Sequence, residues 1–169
     1  MGGVSEWLFN RSEIAPRLHA KLRMMGHSPA IYHAYAGDSY EAAMIDIAGR
    51  LNRDKMDVAL ELHFNSAHAG ASGHEWLYWN SSARSKALAT WLDETFDDVA
   101  PLPSRGLLPR FRSNRGALFL RLTHCPAVIC EPFFGSNAQD WAWASANPDV
   151  IATCMAKAIH CWSLEVGKP

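Results

Sequence analysis

The spacing of apolar and polar residues along the chain alternates between a helical and an extended pattern. Apolar residues at helical spacing predict four amphipathic helices, over residues 12–26, 40–51, 82–99 and 148–162. Pro16 predicts a late start or a kink in the first helix, and Asp38 with Glu41 predicts the N-terminal cap of the second. Asn147 and Pro148 predict the start of the last helix.

Short apolar or alternating segments predict the strands between these helices. They cover residues 28–35, 56–65, 74–79 and 126–134, whereas the Pro- and Arg-rich segment 101–115 is predicted to be a loop. In the second strand, Leu60 and Leu62 point to one face, and Glu61 and His63 to the other. Strands that alternate with amphipathic helices indicate an α/β fold. We expect a mostly parallel twisted sheet with helices on both faces, in a single layer-sandwich domain over residues 1–169.

Composition excludes several classes of protein. The chain has 169 residues, of which 49% are hydrophobic and 20% charged, and its net charge is −1. Intrinsic disorder is therefore excluded, and nucleic acid is not an expected partner. The chain has no run of about 18 apolar residues, so no membrane insertion is expected. The first residues, MGGVSEWLFNR, lack the apolar core of a signal peptide, which favours a cytoplasmic protein.

Two polar residues stand at the carboxyl ends of predicted strands, which is where α/β sheets bind ligands. Glu131 follows the apolar run PAVIC, a setting that desolvates a carboxylate and raises its pKa toward the range of a general base. The alternative is a structural glutamate paired with an arginine. His63 is either a zinc ligand or a core histidine that is hydrogen-bonded to the backbone.

A group of arginines lies in the predicted loop and in the segment after it. No acidic residue occurs between Asp98 and Glu131, so the charge of this segment is positive throughout. Such a cationic rim suits a substrate that carries carboxylates, whereas the alternative is a solvated loop. The group comprises Arg105, Arg110, Arg112, Arg115 and Arg121.

Four segments of the chain, taken in order, resemble one enzyme family. They are VSEWLFNR near the start, ELHFNSAHAGASGHEWLYW from Glu61, SRG from Ser104, and LFLRLTHCPAVICEPFFGSN, which contains Glu131. Together they resemble the zinc-dependent N-acetylmuramoyl-L-alanine amidases of the family-3 type, which include bacterial autolysins and phage endolysins. The resemblance extends over nearly the whole chain.

The resemblance implies a role for each of eight residues. Glu6 and His63 are implied as ligands of a Zn²⁺ ion. Glu131 is implied as the catalytic residue, a general base that takes a proton from water and delivers it to the departing amine. The implied substrate is the amide between N-acetylmuramic acid and L-alanine in peptidoglycan. The residues expected to bind this substrate are Asn65, Glu75, Arg105, Arg115 and Arg121.

The sequence departs from this family at the first zinc ligand. The family has a histidine, in a Gly-His segment after its first strand, shortly before the glutamate, whereas this chain begins five residues before Glu6. One interpretation is a truncated or misassigned form of an active enzyme. A second is that His33, His68 or His74 completes the site, and a third is a domain that binds peptidoglycan without cutting it. The absent strand also predicts an unpaired edge on its neighbour.

Three functions follow from these interpretations. The favoured one is an amidase that cuts the link between sugar and peptide in the bacterial cell wall. The alternatives are a non-catalytic peptidoglycan-binding module and a zinc carboxypeptidase that acts on the stem peptide. Because no leader is predicted, a phage- or prophage-encoded lysin that accumulates in the cytoplasm before it reaches the wall is expected.

Overall fold

The computed structural model describes residues 5–34, 36 and 38–166, and its centre is a four-stranded sheet. The strands are β1 (Ala59–Leu62), β2 (His74–Trp79), β3 (Ser104–Arg110) and β4 (Ala127–Glu131). β1 and β4 are parallel, β2 and β3 are parallel, and β2 and β4 are antiparallel. The order across the sheet is β1-β4-β2-β3. The predicted α/β class with a mostly parallel sheet is confirmed.

Seven α-helices lie in the described part of the chain. A π-helical segment, Asn10–Ile14, joins the first two of them, so the helical region begins earlier than predicted. Pro16 lies in the helix Ala15–Met24 directly after this π-helical segment, so the irregular turn lies immediately before the proline, which has no N–H to donate to it. None of these helices is both long enough and apolar enough to cross a membrane. The helices are α1 (Glu6–Phe9), α2 (Ala15–Met24), α3 (Tyr40–Arg53), α4 (Ala83–Asp97), α5 (Ala117–Leu122), α6 (Ala138–Ala146) and α7 (Pro148–Val166).

Alternation along the strands divides the core into two clusters, one on each face of the sheet. Trp76, Val128 and Cys130 belong to the larger cluster, together with residues of α2, α4 and α7. Leu77 and Ile129 belong to the smaller cluster, together with residues of α3 and α5. Helices therefore cover both faces of the sheet, as predicted.

The predicted strand over residues 28–35 is absent from residues 28–34, and Tyr35 lies outside the described residues. Side-chain contacts rather than a strand ladder hold this segment. The Tyr32 hydroxyl donates to Asp54 Oδ2 at 2.7 Å, and the Arg50 guanidinium lies 5.5 Å from the Tyr32 ring centroid. The short apolar run thus packs on α3 without pairing with a neighbouring strand.

Three further predictions differ from the structure. The N-cap of α3 is Ser39, whose hydroxyl accepts a hydrogen bond from the Ala42 amide, and not Asp38. The segment 101–115, predicted to be a loop, contains β3, and Pro109 is tolerated there because β3 is an edge strand. Helix α6 has no counterpart in the sequence prediction.

Gly135, in the turn after β4, lies where a side chain would collide with the Phe64 ring. A Cβ atom added at Gly135 would lie 2.3 Å from Phe64 Cε2 and 2.6 Å from its Cδ2. The Gly135 N–H also donates to the Asn65 carbonyl at 2.8 Å, which restrains the backbone. We expect Gly135→Ala to lower the free energy of unfolding by about 1–3 kcal/mol, the usual cost of overpacking, as measured by urea denaturation.

Gly49→Ala is the matched control for this substitution. Gly49 lies inside α3, and an added Cβ atom would meet no other atom within 4 Å. Alanine is more favourable than glycine inside a helix by about 0.5–1 kcal/mol, so the two variants should change stability in opposite directions. An unchanged unfolding free energy for Gly135→Ala would show that the Phe64 ring moves aside without cost.

Candidate active site

The carboxyl ends of β1 and β4 and the amino end of β2 lie at the same end of the sheet. β1 and β4 are parallel, so His63, directly after β1, lies beside Glu131, the last residue of β4. The His63 N–H donates to the Cys130 carbonyl at 3.0 Å. β2 runs in the opposite direction, which places Glu75 opposite Glu131 in the antiparallel register. The structure thus brings together His63 and Glu131, as their positions at strand ends predict.

Adjacent strands present three carboxylates on the same face of the sheet. They are Glu61 of β1, Glu131 of β4 and Glu75 of β2. Leu77 and Ile129, two positions from Glu75 and Glu131, belong to the smaller core cluster, so the alternation of side chains places the carboxylates at the end of that face. A carboxylate-rich surface therefore continues the α3 and α5 side of the core.

The His63 imidazole is held between two carboxylates. Nδ1 lies 2.6 Å from Glu6 Oε1, and Nε2 lies 3.2 Å from Glu61 Oε1. Burial lowers the pKa of His63, but the hydrogen bonds to Glu6 and Glu61 and the charges of both outweigh this effect and raise the pKa to about 10. The site therefore favours a positive charge at this position.

Two anchors position Glu6 at the start of α1. The Ser5 hydroxyl caps the helix by accepting a hydrogen bond from the Leu8 amide. Asn10, in the π-helical segment, is buried, and its Nδ2 atom donates to the Leu62 carbonyl at 3.2 Å. The beginning of the described chain is thus fastened to β1 directly beside His63.

The Glu131 carboxylate is mostly buried, and its Oε2 atom has no hydrogen-bond partner within the described part of the chain. Burial raises the pKa of Glu131 to about 7. The charge of His63 opposes this effect, whereas the charges of Glu6, Glu75 and Glu61 add to it. A carboxyl group with this pKa exchanges protons near neutral pH, as a general acid–base catalyst must.

Glu75 is buried, and both of its oxygens are used. Oε1 accepts a hydrogen bond from Arg105 Nε, and Oε2 accepts one from Asn65 Nδ2 at 2.9 Å. The half-exposed Arg105 guanidinium also lies 5.0 Å from the Phe134 ring centroid. Glu75 therefore holds Asn65 and Arg105 in place.

The other two predicted arginines lie elsewhere on the surface. Burial raises the pKa of Tyr40, the charge of Glu61 raises it further, and the charge of Arg115 lowers it. Arg115 itself is exposed and makes no hydrogen bond or ion pair with the described residues. Arg121 is exposed in the last turn of α5 and makes no hydrogen bond or ion pair with the described residues.

The pair formed by Glu6 and His63 offers the donor types that zinc prefers. Their facing atoms lie 2.6 Å apart, in direct hydrogen-bond contact. The buried Oε2 atoms of Glu61 and Glu131 have no partner within the described residues, so each is an acceptor that a cation or a hydrogen-bond donor could satisfy. In residues 5–34, 36 and 38–166, no group of three or more His, Cys, Asp or Glu side chains is arranged to hold a metal ion. The residues present fit two of the three protein ligands of a zinc site.

Among the described residues, none of the three other candidate histidines joins Glu6 and His63 in a metal-binding group. His74 is fully buried in β2, with its Nδ1 atom bonded to an indole N–H, and this excludes it as a ligand at the site. His68 is exposed in the loop after β1. His33 is exposed on the wall of a cavity of about 1110 Å³, which Glu61 and His63 also line.

Glu61 is a site residue that the sequence analysis does not single out. The segment LELH alternates strictly, and this alternation already predicts that Glu61 and His63 point to the same face. Glu61 could have been identified from the sequence, because it is a charged residue two positions before a candidate ligand at the end of the same strand.

Comparison with known proteins identifies the family. The family model described as N-acetylmuramoyl-L-alanine amidase matches residues 1–161 of the chain. The chain belongs to this amidase family. The resemblance predicted from the four segments and the predicted enzyme class are thereby confirmed. No curated protein sequence matches this amidase significantly.

Solved amidase structures share the fold of this chain. The catalytic domain of the CD27L endolysin, described as targeting Clostridia difficile, gives a TM-score of 0.81 at 24% identity, over 92% of this chain and 83% of that chain. The catalytic domain of CwlV, an amidase from Bacillus (Paenibacillus) polymyxa var. colistinus, gives 0.75 at 20% identity, over 95% and 84%. The apo form of the amidase Ami1 from Mycobacterium abscessus gives 0.72 at 18% identity, over 87% and 73%. At these identities the likeness establishes the fold of this amidase.

Proposed function

We propose that this amidase is a zinc-dependent hydrolase that cleaves the amide bond between N-acetylmuramic acid and L-alanine in peptidoglycan. One observation carries the proposal: in a chain of this family, a buried carboxylate with an unpartnered oxygen, Glu131, lies at the same sheet edge as the Glu6–His63 pair. A general base beside a pair of metal-ligand side chains is the arrangement that a metal-assisted hydrolase requires.

Glu6 and His63 are the residues that would hold the metal. When bound, zinc supplies a Lewis acid that polarises the scissile carbonyl. The pair is already ordered, because Glu6 Oε1 accepts hydrogen bonds from both the His63 ring and the Phe64 N–H, the latter at 3.3 Å. A cation bound by both side chains would replace the hydrogen bond between them.

Glu131 moves the proton in the proposed reaction. Its Oε2 atom is free of protein partners, so it accepts a proton from the attacking water as the carbon–oxygen bond forms. The same carboxyl group then delivers this proton to the nitrogen of the L-alanine residue as the carbon–nitrogen bond breaks. A pKa of about 7 suits both transfers, since neither form of the carboxyl is strongly favoured near neutral pH.

The substrate-binding roles stay predictions, and the contacts in the structure give them unequal support. Arg105 keeps guanidinium donors free beyond its bond to Glu75, and Asn65 lies beside it, so this corner suits a carboxylate of the stem peptide. Arg115 is an exposed positive charge without a hydrogen bond or ion pair to the described residues. The contacts of Arg121 give no support for a place in the site.

The reaction is tested by incubating the chain with purified peptidoglycan sacculi. We expect the release of muropeptides with new N-terminal L-alanine, loss of this release after zinc is removed with a chelator, and its recovery when zinc is added back. Amino-group labelling and mass spectrometry of the products provide the measurement. Undiminished hydrolysis after thorough zinc removal would contradict the proposed zinc dependence.

The same experiment separates the alternative functions. A zinc carboxypeptidase frees a terminal amino acid and leaves the peptide attached to the sugar. A binding module sediments with the sacculi and produces no new amino termini. The binding module is the second candidate because the described residues bring two metal-ligand side chains together rather than three. Accumulation in the cytoplasm before contact with the wall stays a prediction.

A further inference from the structure

We propose that Glu61 is a positioning residue that fixes the orientation and the tautomer of His63 for metal binding. The inference rests on the proposed zinc site, and it concerns a residue to which the amidase mechanism above gives no role. It is drawn from the contacts of the two ring nitrogens of His63, which face different carboxylates.

The two nitrogens of the His63 ring face different carboxylates. Nδ1 lies 2.6 Å from Glu6 Oε1, and Nε2 lies 3.2 Å from Glu61 Oε1. A cation shared by Glu6 and His63 is therefore bound on the Nδ1 side of the ring. A neutral imidazole that binds a metal through Nδ1 must carry its proton on Nε2, and Glu61 is the acceptor placed to receive that N–H.

The same geometry separates Glu61 from the ligands themselves. Its oxygen contacts the far nitrogen of the ring, so Glu61 cannot bind a cation at Nδ1 unless it crosses to the other side of His63. Carboxylates in this position behind a metal-binding histidine orient the ring and make the ligand nitrogen more basic. Glu61 thus acts through His63 rather than on the metal.

The Glu61 side chain is also more enclosed than the His63 ring that it positions. Glu61 lies within β1, where it is the register partner of Ile129 on β4. Its side chain is 17% exposed, compared with 39% for His63 and 40% for Glu6. Because Glu61 lies within β1 and its side chain is largely enclosed, its carboxylate can fix the orientation of the His63 ring just beyond the end of that strand.

The test compares Glu61→Ala with Glu61→Gln. Both substitutions remove one negative charge, but glutamine keeps an oxygen that can accept the Nε2–H. We expect Glu61→Ala to weaken zinc affinity by about 10- to 100-fold, the usual effect of losing such a partner, and Glu61→Gln to retain most of the affinity. Zinc dissociation constants are measured by competition with a chromophoric chelator. Glu94→Ala, an exposed glutamate on α4, is the control for loss of a remote charge and should leave the affinity unchanged.

A second measurement follows the His63 ring directly. In long-range proton–nitrogen NMR spectra of the zinc-loaded protein, we expect a slowly exchanging Nε2–H signal in wild type and Glu61→Gln, and its loss in Glu61→Ala. Far-ultraviolet circular dichroism of the metal-free variants checks that both are folded. A general loss of structure would affect the spectrum of every residue, whereas the proposed role affects this ring signal and the zinc affinity together.

The outcomes distinguish this inference from the proposed function. Equal zinc affinity in wild type and Glu61→Ala would overturn the positioning role and leave the zinc site intact. Equal weakening in Glu61→Ala and Glu61→Gln would also overturn it, since charge alone would then account for the effect. A wild-type protein that binds no zinc would overturn the proposed zinc dependence and, with it, this inference.

Discussion

Replacing Glu131 with glutamine is expected to lower the rate of amide hydrolysis by about 100- to 10,000-fold, the usual contribution of a general acid–base residue. Glutamine has nearly the same shape but cannot take up or release a proton. The Glu131 carboxyl lies at the end of β4 with an unpartnered buried oxygen, so the described structure offers no neighbouring hydrogen bond that must be rearranged. Initial rates of muropeptide release measure the effect.

The same substitution is expected to stabilise the metal-free protein above neutral pH. Burial raises the pKa of Glu131 from its ordinary value of 4.5 to about 7, so the folded state binds a proton more tightly than the unfolded state does. Stability is therefore lost in the wild type as the pH rises from 4.5 to 7, and glutamine avoids this loss. At pH 8 we expect Glu131→Gln to be more stable than wild type by about 2–3 kcal/mol, with no difference at pH 4.

The two measurements together separate catalysis from folding. A loss of activity accompanied by higher stability at pH 8 assigns Glu131 to the chemistry of the site. A variant that loses activity and stability together would instead assign it a structural role. Stability–pH curves that run parallel for variant and wild type would contradict the raised pKa.

Asp140→Ala is expected to lower the free energy of unfolding by about 4 kcal/mol. Asp140 is 1% exposed and accepts three hydrogen bonds, from the Ser72 hydroxyl at 2.6 Å, the Gly73 N–H at 3.0 Å and the Phe134 N–H at 3.0 Å. Alanine leaves two buried backbone N–H groups without an acceptor, and each costs about 1–3 kcal/mol. Urea denaturation followed by circular dichroism provides the measurement.

Asp140 also joins the two loops that border the site. Gly73 directly precedes β2, which carries Glu75, and Phe134 follows β4, which ends at Glu131. Asp140→Asn keeps one acceptor oxygen for the backbone groups and is expected to cost about half as much as the alanine variant. Asp149→Ala removes an exposed carboxylate that pairs with a lysine on the surface, and should change stability by less than about 0.5 kcal/mol. Similar effects for Asp140→Ala and Asp149→Ala would contradict this account.

The accuracy of the sequence predictions follows the strength of the local signal. The helices beginning at Tyr40, Ala83 and Pro148 have long apolar stripes and match the structure closely. Segments with short runs were misassigned: residues 28–34 form no strand, and β3 lies in a predicted loop. In such segments the result depends on whether a neighbouring strand is available for pairing, and no local pattern contains that information.

The sequence by itself determined the α/β class, the family, and the placement of His63 and Glu131 at strand ends, because alternation and strand termini are local properties of the chain. Only the tertiary structure decided what surrounds His63. Glu6 lies 57 positions earlier in the chain yet contacts its Nδ1 atom, while Glu61 contacts Nε2. The antiparallel approach of β2 likewise brings Glu75 opposite Glu131. Contacts of this kind depend on which strands pair and in which direction, and long-range packing sets both.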